Sequence, residues 1–283
     1  MTSQIKTVLF LGLLTGLLML LGGFLGGRAG LLLAFGFAMV MNVGSYWYSD
    51  KLVLRMYKAR ELSPGDAPHI HRVVEEMAAR AGIPKPRIVL IPQDAPNAFA
   101  TGRNPENAVV AVTRGIVAIL DPEELRGVLG HEIGHIVNRD ILIQTVAAVL
   151  AGTIVFIANM LQWSALFGIG SRDGERGNPL AALAMALLAP VAATLIQMAI
   201  SRSREYLADA TGAHLAGNPL ALAGALGKLD AAARHIPLQG SPATENLFIV
   251  SPFRGRGPAS LFSTHPPVED RIARLRAMAQ GQR

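Results

Sequence analysis

The sequence predicts an α+β protein: a polytopic α-helical membrane part of about four spans, interleaved with a polar domain of mixed helix and strand. Three observations carry that expectation. Of the 283 residues, 51% are hydrophobic and only 16% charged, against roughly a quarter charged in average usage. The apolar residues are segregated into four uncharged stretches, each long enough for the roughly 20 helical residues that a bilayer requires. The remaining two regions are polar and carry strand-like and helix-like patterns.

The spans are residues 7–27, 29–49, 141–171 and 177–201. The first exceeds the roughly 7–15 apolar residues of a signal peptide, lacks a small-x-small cleavage site and is followed at once by the second. It is therefore expected to be retained. Gly12 and Gly16 form a small-xxx-small pair that would let another helix approach closely. The second span ends in Tyr46, Trp47 and Tyr48, suited to the membrane–water boundary, and then Lys51, Arg55, Lys58 and Arg60 place the following segment in the cytoplasm. Lys6, Arg139, Arg202 and Arg204 agree with that bias, while Arg28, Arg172 and Arg176 fall on the other side. Both termini are expected inside. Gln144, Asn159 and Gln162 dot the third span and Pro190 interrupts the fourth, so these two are also compatible with a hairpin tilted or tucked against the polar part. The chain thus divides into two spans (1–50), a first polar segment (51–140), a membrane hairpin (141–201) and a second polar segment (202–283).

Composition also excludes several classes. The apolar content rules out disorder, and the absence of Cys rules out a disulfide scaffold or cysteine-ligated metal. A net charge of +6 spread over this length is too dilute to indicate nucleic acid.

In the first polar region a helix is expected over 67–81, followed by two or three short strands, with 87–91 and 108–112 the β-rich runs. Asp121-Pro-Glu-Glu124 then opens a helix with an N-cap acid, Pro in the first turn and Glu at the third position. The second region offers helices over 203–216, 219–235 and 267–278. Residues 171–179, rich in Gly, Asp and Arg, read as an exposed loop.

The helix from Pro122 to about Arg139 contains His131-Glu132-Ile133-Gly134-His135. Two His four apart lie one turn above the other on one face, so both imidazoles reach a single ion. Leu125, Val128, Leu129, Ile133, Ile136 and Val137 form an apolar arc, and His131 and His135 fall outside it. Glu132, near the edge of the arc, is costly to bury without a partner or a task. Zinc with three protein ligands keeps a position for water and lowers that water's pKa toward neutrality. A Glu beside the metal can take the proton as water attacks a peptide carbonyl and pass it to the leaving amine. Gly127, Gly130 and Gly134 each cost up to about 1 kcal/mol of helix stability, which points to close approach of another backbone, either a substrate strand or the helix of the third ligand.

That third ligand is sought in Ser201-Arg-Ser-Arg-Glu-Tyr-Leu-Ala-Asp209. Glu205 and Asp209 are four apart on one helical face. One could bind zinc while the other accepts a hydrogen bond from a ligand His and fixes its tautomer. A membrane hairpin inserted between the two helices returns these acids to the side of His131.

With these motifs, the chain resembles the HtpX-type proteases of the M48 metallopeptidase family. Asn97-Ala-Phe-Ala-Thr-Gly102 and Thr264-His-Pro-Pro-Val-Glu-Asp-Arg271 match the same pattern, in the same order, over nearly the whole chain. The resemblance implies a zincin-like (gluzincin) catalytic domain facing the cytoplasm, with one Zn2+ per chain held by His131, His135 and Glu205. It makes Glu132 the general base and Asp209 the partner behind a ligand. It implies Asn97 beside a substrate-binding edge strand, and His265 and Arg271 close to the metal, where either could stabilise an oxyanion. A His before Pro-Pro can equally cap the last helix. His69, His71, His214 and His235 read as surface or structural residues.

The implied activity is a multi-pass protease of the bacterial inner membrane, serving stress response and quality control. Its substrates would be misfolded or excess membrane proteins; its partners, the bilayer and other quality-control proteases, with no nucleic acid. Three rivals are weaker. A site-2-type intramembrane protease would carry its motif inside an apolar span, whereas this helix bears Glu123, Glu124, Arg126, Arg139 and Asp140. A non-catalytic zinc-binding scaffold would not need Glu132. A Ste24-like protease for lipidated peptides would have more spans.

Overall fold

The computed structural model describes residues 3–150, 202–234, 247–250 and 266–281, a helix-rich α+β structure around one four-stranded sheet. Helix α1, Ser3–Met56, is helical along its length but turns back on itself. Gly27 takes a left-handed φ of +57°, which glycine adopts at no steric cost. Asn42 Nδ2 donates to Thr15 Oγ1 at 2.8 Å, although a straight helix would hold these residues about 40 Å apart. The two arms match the first two expected spans and their turn falls at Gly27-Arg28. Among the described residues, one segment, Gly27–Met56, is long and apolar enough to cross a membrane.

Among the described residues, nothing lies within 4 Å of a Cβ built on Gly12 or Gly16, and the close approach is between Gly22 and Gly30, where a Cβ on either would overlap the other's backbone. The arms are tightest where they leave the turn. The second arm also runs past residue 50 to Met56, because nothing from Lys51 to Met56 breaks a helix. Its end packs on the sheet: Val53 is buried, and with Tyr57 it joins an apolar cluster there.

The sheet comprises β1 (Arg60–Glu61), β2 (Arg87–Ile91), β3 (Ala98–Thr101) and β4 (Val109–Thr113), in the order β1-β2-β4-β3. β2 runs parallel to β4, and the other pairs are antiparallel. The strand expected at 108–112 starts one residue later because Ala108 closes the 3-10 turn Pro105–Asn107. Side chains alternate as the pleat requires. Ile88, Ala98, Ala100, Val110 and Val112 face one apolar cluster, whereas Val89, Ile91, Phe99, Val109 and Ala111 face the other.

Helix α2 (Pro68–Ala81) ends at a left-handed Gly82 with φ +65°. The short α3 (Arg114–Ile119), absent from the sequence reading, starts where Thr113 accepts from the Ile116 amide. Helix α4 (Pro122–Val137) opens with the expected capping box: Asp121 accepts from the Glu124 amide, and Glu124 from that of Asp121. Helix α5 (Ile141–Leu150) leaves α4 at 90° and opens the expected third span. Its residues are nearly all buried, and Thr145 Oγ1 meets Thr101 Oγ1 of β3 at 3.0 Å. These first ten residues therefore belong to the protein core. The remainder of that span, the fourth span and the 171–179 loop lie outside the described residues. Helices α6 (Arg202–Ala216), α7 (Pro219–Ala233, capped by Asn218) and α8 (Val268–Ala279) fall within two residues of expectation.

The α4 glycines are where two later helices touch it. A Cβ on Gly127 would strike Leu222 of α7, one on Gly130 would strike Gly212 of α6, and one on Gly134 would strike Ala208 of α6. Of the two explanations expected for them, the third-ligand helix is the one seen. Crowding decides the prediction: Gly212→Ala would place its Cβ 2.5–2.6 Å from backbone atoms of Gly130 and His131, an overpacking that costs about 1–3 kcal/mol. Gly36, with nothing within 4 Å, is the control, and Gly36→Ala should be neutral or stabilising by up to about 1 kcal/mol. Melting curves of both variants in detergent check the difference, and equal shifts would refute it.

Candidate metal centre

Helix α4 presents His131 and His135 one turn apart, and α6, pressed against its glycine face, presents Glu205 opposite. The two Nε2 atoms are 3.1 Å apart. Glu205 Oε2 lies 3.7 Å from that of His131, and Oε1 lies 3.6 Å from that of His135. Ligands 2.0–2.2 Å from a tetrahedral zinc stand about 3.3–3.6 Å apart, so the spacing is that of a ligand set. Among the described residues, this is the one group of three His or acidic side chains near enough together to hold a metal.

Each imidazole is aimed by a carboxylate behind it. Asp209 Oδ1 is 2.9 Å from His131 Nδ1, and both oxygens of Asp140 are 3.1 Å from His135 Nδ1. Such contacts fix the tautomer with Nδ1 protonated and leave Nε2 free for a metal. Arg271, fully buried, donates to both oxygens of Asp209 at 2.7 and 2.8 Å and to the Ile249 carbonyl at 2.6 Å. Burial by itself would raise the Asp209 carboxyl, but Arg271 and His131 outweigh it and hold it at about 2. Burial would likewise lower His135; the carboxylates of Asp140, Glu205 and Glu132 reverse that and push it up to about 10.

The charge balance is informative. Glu132, Asp140, Glu205 and Asp209 are buried around this site together with Arg204 and Arg271. With all four acids ionised and both imidazoles neutral, the protonation states that metal binding requires, these described groups carry two more negative than positive charges, an expensive arrangement in a low-dielectric interior. A divalent cation at the three converging donors balances them. The residues present fit a metal by charge as well as by spacing.

Glu132 shares the cavity with the three donors, together with Phe99, Ala100, Gln144, Leu247, Phe248 and Ile249. Burial pushes its carboxyl up, opposed by His131 and His135 and by the neighbouring Ala100 amide of β3. The cavity is about 10 Å³, room for about one water, and the segment Leu247–Ile249 covers it.

Asn97, at the head of β3, is buried; its Oδ1 accepts from the Ile249 amide at 3.3 Å, and its Nδ2 has no partner among the described residues. Arg271 is next to the donors, yet its guanidinium points at Asp209 and Ile249 from behind His131 and does not line the cavity. His265 lies outside the described residues, as does His235. His71 Nε2 bonds the Leu62 carbonyl, a structural contact.

Asp140 and Gln144 were missed in the sequence. Asp140 reaches back under His135 because Arg139 adopts a left-handed φ of +56°, letting the Asp140 amide bond the His135 carbonyl. An acid five residues after the second His was the only available signal. Because its loss frees the His135 ring, Asp140→Asn should weaken metal affinity by about 10–100-fold. Competition with a graded chelator measures this, and wild-type affinity would remove Asp140 from the site.

Comparison with known proteins follows the same lines. The family model described as Peptidase family M48 matches residues 64–279. A Protease HtpX homolog of Syntrophobacter fumaroxidans is 56% identical over 282 residues, covering 98% of this chain and 100% of that one. One of Pyrococcus furiosus is 55% identical over 276 residues, covering 97% and 96%. The crystal structure of S. mikatae Ste24p superposes with a TM-score of 0.52 at 20% identity, covering 96% of this chain but 65% of that one; at that identity the likeness is one of fold alone. On the family match and the near full-length identity together, the chain belongs to peptidase family M48.

Proposed function

We propose that the protein is a membrane-embedded, zinc-dependent endopeptidase of zincin-like, gluzincin type that cleaves misfolded or excess membrane proteins at the cytoplasmic face. The observation that carries this reading is the convergence of His131, His135 and Glu205 with Glu132 in one acid-rich cavity. One zinc per chain, held by those three donors, would supply Lewis acidity and a water acidified toward neutral pH.

The chain's own groups do the rest. Glu132 accepts the proton of the attacking water and delivers it to the leaving amine nitrogen. Asp140 and Asp209 hold the two imidazoles, and Arg271 holds Asp209. A substrate segment aligns along the outer edge of β3, where the unpartnered Nδ2 of Asn97 is available to a peptide carbonyl. His265 remains the candidate for the oxyanion; the contacts of Arg271 suit positioning. A peptide needs more room than one water, and Leu247–Ile249 form part of the wall it would pass.

The proposed organisation is two spans (1–50), a first catalytic segment (51–140), a membrane hairpin (141–201) and a second catalytic segment (202–283). The setting is the bacterial inner membrane with the catalytic domain in the cytoplasm, beside other quality-control proteases. The fold likeness to Ste24p favours lipidated peptides as the second reading of substrate. A non-catalytic scaffold would leave the buried Glu132 without a task.

Glu132→Gln should keep bound zinc while losing nearly all cleavage of an unfolded protein; wild-type turnover would sink the mechanism. Glu205→Ala should lose zinc at chelator concentrations where Asp209→Asn keeps a measurable fraction, because a partner behind a ligand changes affinity by only about 10–100-fold. Metal content by mass spectrometry decides, and the opposite order would exchange the two acids. For topology, cytoplasm-active reporters fused after Arg60 and after Arg283 should both be active. Activity after Arg60 only from outside the cytoplasm would put the catalytic domain on the wrong side.

A further inference from the structure

Away from the metal centre, a cavity of about 380 Å³ opens between the base of the α1 hairpin and the catalytic domain. Val8, Leu11 and Tyr46 of α1 and Ile141 and Leu142 of α5 give it apolar walls, while Arg103 and Arg139 also line it. Neither arginine has an ion-pair partner among the described residues; Arg103 stacks on the Trp47 ring at 4.7 Å. Glu106 and Asn104 complete the rim.

Two features make this a site rather than a gap. The cavity lies at the level of Tyr46 and Trp47, the kind of aromatic pair that marks the headgroup layer. Its walls are apolar along the hairpin and at Ile141 and Leu142, and cationic at Arg103 and Arg139.

We propose that this cavity binds the headgroup phosphate of an anionic phospholipid between Arg103 and Arg139, with the acyl chains lying along Val8 and Leu11. Two arginines outweigh the single Glu106, so the net local charge favours an anion, and guanidiniums present paired donors matched to phosphate oxygens. The apolar wall selects a lipid over a free phosphate. The lipid would then fasten the hairpin to the turn that carries Asp140, one residue beyond Arg139. The inference rests on the membrane reading of the hairpin, but a binding assay in detergent reads the cavity whichever way the protein faces.

The test uses the full chain in neutral detergent, titrated with short-chain phosphatidylglycerol, short-chain phosphatidylcholine or inorganic phosphate, and read by native mass spectrometry. Phosphatidylglycerol should bind saturably at one per chain, with phosphatidylcholine and inorganic phosphate at least about 10-fold weaker. Arg103→Gln and Arg139→Asn, the latter chosen because Asn tolerates the left-handed backbone, should each weaken phosphatidylglycerol several-fold and together about 10-fold or more. Glu106→Gln should tighten it, an opposite sign that misfolding would not produce. Equal binding of the two lipids, or unchanged binding in the double variant, overturns the site. Inorganic phosphate binding as tightly as phosphatidylglycerol overturns the lipid assignment. The topology reporters fail or succeed independently of all these outcomes.

Discussion

Four buried carboxylates face two buried guanidiniums around a pair of imidazoles, and that imbalance constrains most of what surrounds it. Buried charge is tolerated only when paired and hydrogen-bonded, so each member is held by a second element. Asp209 takes both donors of Arg271, Asp140 takes His135, and Glu132 neighbours the Ala100 amide. The acids converge with the imidazoles at three donors, where a divalent ion would find its ligands. Removing any one arginine or acid would therefore disturb charges beyond its own contacts, because the others are close enough to feel it.

This arrangement needs helices closer than side chains ordinarily allow. The facing atoms of His131 and Glu205 are 3.7 Å apart because Gly130 and Gly212 let the backbones of α4 and α6 meet. The glycines lower the helix propensity of α4, and the packing of α4 between the sheet, α6 and α7 overrides it. The same burial changes what the motif helix looks like: its expected polar face, with both His, is covered as fully as its apolar arc.

Local signals in the sequence carried much of this. The 87–91 strand, the Asp121 capping box, the HExxH face and the 202–216 helix each rest on contacts between near neighbours, which sequence patterns record. What was not legible depends on distant packing or on a single backbone angle. Asp140 reads as a membrane-flanking charge until Arg139 turns left-handed. Arg271 looks like any helix arginine until α8 docks and places it behind Asp209. The stretch from 141 was compatible with a membrane span or with a segment tucked against the polar part, and residues 141–150 pack on β3 and the core; apolar composition alone does not say which. Gly12 and Gly16 show the same limit, since small residues permit a close contact without locating it.

The end of α1 and the segment Leu247–Ile249 beside the site share one set of contacts. Tyr57, just past α1, stacks near Phe99 of β3 at 5.9 Å and near Phe248 at 6.3 Å between ring centres. Both phenylalanines line the metal-centre cavity. Ile249, next in the chain, is tied to Asn97 through its amide and to Arg271 through its carbonyl. Moving Leu247–Ile249 to admit a peptide therefore breaks contacts with the aromatic end of α1, with the head of the edge strand, and with the arginine that supports a ligand's partner. A rigid interior transmits such a displacement. A shift of α1 relative to the sheet would act first on Tyr57, then on Phe99 and Phe248, and so on the opening of the cavity itself.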